Sequence, residues 1–92
     1  MRIYPIPWKP GSGARFDSPG LTFDNLPASG AIHILTLAGE HVADIRFDGS
    51  SAGTATWDGR TKHGRRCASG VYFAKIVSDT GGSMLAKFAI ER

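Results

Sequence analysis

The side chains best suited to chemistry in this chain are three histidines, His33, His41 and His63, and three aspartates, Asp44, Asp48 and Asp58. Imidazole nitrogens and carboxylate oxygens could together ligate a divalent metal, but only where three or four of them converge. His33 and His41 flank a hairpin, and a register that pairs residue 37 with residue 41 keeps them from lying opposite each other. No metal-ligand spacing follows, and the histidines read as exposed strand and loop residues. Glycoside hydrolysis would need two carboxylates facing each other across a cleft. Asp48-Gly49 and Asp58-Gly59 are turn dipeptides instead, and a chain this small offers no deep cleft. A calcium loop would show closely spaced acidic residues, which are not present.

Nucleophile chemistry fares no better. Ser50, Ser51, Ser69, Thr80 and Ser83 sit in turns without histidine and aspartate partners. Gly11-Ser12-Gly13 lies in a loop with no strand-to-helix context, and no phosphate-binding or dinucleotide fingerprint occurs. Cys67 is the single cysteine, which excludes an intrachain disulfide and a thiolate metal site. Arg65 and Arg66 could lower its pKa, but its apolar-leaning surroundings point to a small buried filler. No catalytic residue, cofactor or metal is expected.

The elements that carry these residues are short and β-like. The chain has 92 residues, 41% of them hydrophobic and 21% charged, with 12 glycines and 5 prolines. That composition suits one globular domain spanning 1–92, with many short segments. Ile3 to Trp8 carries Pro5 and Pro7 and reads as an edge strand or extended lead-in. Leu21–Phe23 alternates and stops at Asp24-Asn25 and Pro27. Residues 31–37 and 41–47 alternate on either side of Gly39 and form a hairpin. Thr54–Trp57 ends on Asp58-Gly59, Val71–Val77 is the most apolar strand, and Met84–Ile90 closes the chain. About seven strands at turn spacings of roughly eight to twelve residues predict an all-β, antiparallel sandwich, Ig-like or fibronectin III-like.

Other partner classes can be weighed from charge and aromatics. The net charge is +3, and no recognition helix or aromatic platform accompanies it, which argues against nucleic acid. No apolar run is long enough to cross a bilayer as a helix, and no signal peptide is seen, so membrane insertion is not expected. The loop Arg60–Arg66 holds four cations and His63 and reads as a solvated hairpin end. Trp57 is expected in the core. Trp8 is expected to cover an open end of the sandwich, with a role as a polysaccharide platform as the alternative.

The motifs also resemble a known family. Tyr4-Pro5-Ile6-Pro7-Trp8-Lys9-Pro10 is similar to the Y-P-N-P-F-x-P opening of Ig-like domains found at the C-termini of large bacterial secreted proteins. Phe23 to Pro27 and Ile32 to Val42, with Gly39, resemble its central strands. Trp57-Asp58-Gly59, then Gly64 to Cys67 and Ala68-Ser69-Gly70-Val71-Tyr72, resemble its W-D-G and V-A-S-G-V-Y signatures, and Lys87–Ile90 its final strand. Ile6 stands where the family has Asn, Trp8 where it has Phe, and Cys67 where it has Val. The family includes the Ig-like domain of the flagellar hook-capping protein and the C-terminal sorting domains of type IX secretion substrates.

The resemblance implies a non-catalytic, extracytoplasmic C-terminal module of a larger protein, serving in sorting, surface attachment or spacing. It implies secretion or cell-surface machinery as the partner, reached through an edge or terminal strand, with Lys87 and Arg92 as contacts. A carbohydrate-binding accessory module and a flagellar hook-cap assembly domain are the alternatives.

Overall fold

The computed structural model describes residues 1–13, 17–49 and 52–92. Ala14, Ser50 and Ser51, which the sequence places in loops, lie outside the described residues. Seven strands follow in order: β1 (Arg2–Tyr4), β2 (Leu21–Asp24), β3 (Gly30–Thr36), β4 (His41–Phe47), β5 (Ala55–Trp57), β6 (Gly70–Ser78) and β7 (Ser83–Ile90). They form an antiparallel three-stranded sheet, β1-β2-β5, and an antiparallel four-stranded sheet, β4-β3-β6-β7. The expected all-β sandwich, of Ig-like and fibronectin III-like type, is what the chain adopts.

Alternation explains the layering. Ile32 and Ile34 of β3, Tyr72, Ala74 and Ile76 of β6, and Phe88 and Ile90 of β7 point inward and meet Leu21, Phe23 and Trp57 of the facing sheet. Val71, Lys75, Leu85 and Lys87, one residue out of phase, are exposed on the outer face. Aromatic rings pack the centre. Trp57 meets Phe88 edge-on at 5.9 Å between centroids, and Tyr72 stacks on Phe88 at 5.8 Å. Gly30 is required where β3 enters the sheet, since a Cβ there would lie 2.1 Å from the Val77 carbonyl oxygen.

The N-terminal segment departs from a simple edge strand. β1 pairs with β2 in one sheet and ends at Tyr4, and the chain then crosses to the other sheet. The Trp8 amide donates to the Ala89 carbonyl at 2.9 Å and the Glu91 amide to the Trp8 carbonyl at 2.8 Å, a parallel bridge to the end of β7. Pro5 and Pro7 lie in the crossing, where no ladder hydrogen bond is asked of them.

Candidate functional site

The signature residues gather at one end of the sandwich. Trp8 is 1% exposed, and its indole nitrogen donates to the Ser18 carbonyl at 3.0 Å. Its ring lies 6.2 Å from that of Trp57 and directly over Gly59, which has φ +80°. The reading of Trp8 as a polysaccharide platform is therefore corrected: a ring with one per cent of its surface in water has no face to offer a sugar. Pro7 precedes it in the crossing segment, and Pro10 follows it on the rim of an open concavity of about 670 Å³.

Asp58 and Gly59 form the turn that the sequence implies. The Asp58 carboxylate accepts from the Arg60 amide at 3.0 Å, and the Trp57 indole nitrogen donates to the Arg60 carbonyl at 3.0 Å. The Arg60 guanidinium reaches the carbonyl of Gly64, at φ +84°, and so closes the basic loop. The Cys67 amide then donates to the Gly59 carbonyl at 2.8 Å. Gly70, with φ +156°, opens β6. The Tyr72 hydroxyl donates to the Ala68 carbonyl at 2.8 Å, a tyrosine bracing the chain four residues upstream of itself. Cys67 is buried, and that burial pushes its thiol up despite the nearby Arg92 guanidinium. Gly39, at φ +87°, turns β3 into β4, and Pro27 lies within the loop that joins β2 to β3.

The terminal cations have different surroundings. Arg92 is tied into the joint: its amide donates to the Ser69 hydroxyl at 2.8 Å and its Nε to the Cys67 carbonyl at 2.6 Å. Lys87 stands exposed on the outer face of β7, cross-strand from Phe73. β7 is an edge strand, and among the described residues its outer edge is paired only by Trp8, at its far end. Because the Ala89 carbonyl and Glu91 amide face Trp8, alternation directs the backbone groups of Leu85 and Lys87 toward the same, outer edge.

The β3-β4 hairpin corrects the expected register. Residue 41 pairs with Leu35, not with residue 37, and the pairing shifts between Ile34 and Leu35. Ile34 faces Ala43 and Leu35 faces His41, so Val42 is the extra residue of a β-bulge on β4. Val42 and Ala43 both lean on the core, and His41 is turned outward, onto the face that carries Asp44. His33 is the register partner of Asp44 on the same face. The two histidines that the expected register kept apart thus meet over one carboxylate. His63 lies in the Arg60–Arg66 loop, beside His41 but outside that group.

No family model and no curated protein sequence matches this chain. Among solved structures it is similar to part of PorZ, an essential bacterial surface component of the type IX secretion system of Porphyromonas gingivalis. The TM-score is 0.77 and the identity 26%, over 99% of this chain and 11% of that one. It is also similar in fold to CopC from Methylosinus trichosporium OB3b, with a TM-score of 0.50 and 16% identity, over 98% of this chain and 87% of that one. This chain therefore spans about a ninth of the PorZ chain that it matches. Both likenesses agree with a β-sandwich, and the first is to a part of a type IX secretion surface component.

Proposed function

We propose that this domain is a non-catalytic module of a bacterial secreted or cell-surface protein, used to bring that protein to type IX secretion or surface-attachment machinery. The observation that carries the reading is the whole-length likeness to one small part of a surface component of that system. A module that is a small fraction of a large chain suits sorting or attachment, and an extracytoplasmic location follows from the same reading. The contact element is the outer edge of β7, whose backbone groups are available for strand addition.

Lys87 and Leu85 stand beside that edge and lie outside the core, Leu85 being 60% exposed. Removing β7 would also remove Phe88 and Ile90 from the core, so deletion confounds recognition with unfolding. The double substitution Leu85→Asp, Lys87→Glu leaves the core intact. In a reporter fusion it should lower surface delivery severalfold while circular dichroism and the melting midpoint stay near wild type. Undiminished delivery by the folded variant would remove β7 from the contact.

A further inference from the structure

We propose that His33, His41 and Asp44 form a binding site for a divalent first-row transition metal, Zn²⁺ or Cu²⁺, on the outer face of the four-stranded sheet. The His33 Nδ1 lies 2.5 Å from the Asp44 Oδ1, and the His41 Nε2 lies 2.6 Å from the same oxygen. The ligand atoms of all three residues lie within 4.8 Å of one another. The imidazole rings are 5.7 Å apart, inclined at 51°. Two imidazole nitrogens and a carboxylate oxygen are the donor set that such ions favour over calcium or magnesium.

The backbone builds this convergence. His41 and Asp44 are three residues apart, an odd spacing that places side chains on opposite faces of a regular strand. The bulge at Val42 reverses the face at that point and delivers His41 to Asp44. His33 sits on β3, which is paired on both sides, so the residue opposite Asp44 is held by two ladders. The turn before His41 is fixed by the Thr36 amide donating to the Glu40 carbonyl and the Glu40 amide to the Thr36 hydroxyl.

Spacing and access also fit. Ligands of one tetrahedral ion at about 2.0–2.1 Å stand roughly 3.3 Å from each other, so the present nitrogen–oxygen distances must widen by roughly 0.7 Å. The three side chains are 36%, 38% and 48% exposed, which leaves room for that movement and an open approach for the ion. Lys75, the register partner of His33 on β6, is a cation on the same face, and Lys62 and Arg65 line a shallow concavity together with His41.

The test is titration of Zn²⁺ into the untagged 92-residue chain by calorimetry, with Cu²⁺ followed by electron paramagnetic resonance. One ion per chain should bind, and the Cu²⁺ spectrum should carry coupling to two imidazole nitrogens. His33→Gln, His41→Gln and Asp44→Asn should each weaken binding roughly tenfold or more, losses at least as large as those for residues that only support a metal ligand. His63→Gln should leave binding unchanged, and far-ultraviolet circular dichroism should show each variant folded. Wild-type affinity no greater than that of the His33→Gln, His41→Gln double variant would overturn the proposal. Affinity that follows His63 would overturn it equally.

Discussion

The indole of Trp8 covers the α-carbon of Gly59 so closely that a Cβ there would stand 2.5 Å from the Trp8 Cη2. Two demands meet at this glycine, since its φ of +80° is also one that L side chains adopt poorly. The substitution Gly59→Ala should destabilise the domain by about 2–4 kcal/mol, combining backbone strain with overpacking. Chemical denaturation reads this as a lower midpoint. A midpoint equal to wild type would mean that Trp8 is not seated on Gly59.

Cys67 is expected to be chemically quiet in the native state. Burial raises its thiol, so little thiolate is present near neutral pH, and the sulfur is covered. Alkylation by iodoacetamide at about pH 7.5 should be slow for the folded chain and fast in denaturant. Rapid native labelling would contradict the packing. The substitution Cys67→Val should fold with a melting midpoint only slightly below wild type: it keeps a small apolar side chain at a buried site and loses the thiol's contact with the Tyr72 hydroxyl, which still donates to the Ala68 carbonyl.

Acid should weaken the domain in a defined direction. Partial burial pushes the Asp44 carboxyl up, but hydrogen bonds from His33 and His41 more than offset this and hold it below its ordinary value. The native state therefore binds this proton less readily than the unfolded chain does. The resulting stabilisation is present above about pH 4 and is lost as pH falls through the lower, native value. The Asp24 carboxyl, held down by Arg2 and the Asn25 amide, acts in the same direction. Melting midpoints followed from pH 5 downward should fall, and fall less steeply in Asp44→Asn. Equal slopes for the two proteins would count against the Asp44 contribution.

Strand positions were legible because period-two alternation and glycine turns act locally. β2 to β7 lie where the apolar alternation places them, within a residue or two at each end. The Trp57-Asp58-Gly59 turn was legible for the same reason. What Gly59 is for was not, because Trp8, the residue that requires it, is distant in sequence. The histidine pair was missed through a single added residue. Val42 is an ordinary strand former, and nothing in its type marks a bulge, yet it shifts the register and changes the face on which His41 emerges. The tie of Arg92 to Cys67 and Ser69 is likewise a product of tertiary closure, where the sequence offered only a basic terminus.

The most direct measurement is delivery of a reporter that carries this chain at its C-terminus and an inner-membrane export signal at its N-terminus. It should be compared in a bacterium with an intact type IX system and in the same strain lacking it. The domain is predicted to place the reporter at the cell surface or in the medium only when the system is intact, while the reporter alone stays in the periplasm. A fused reporter that remains periplasmic in both strains, with the domain folded, would contradict the proposed role.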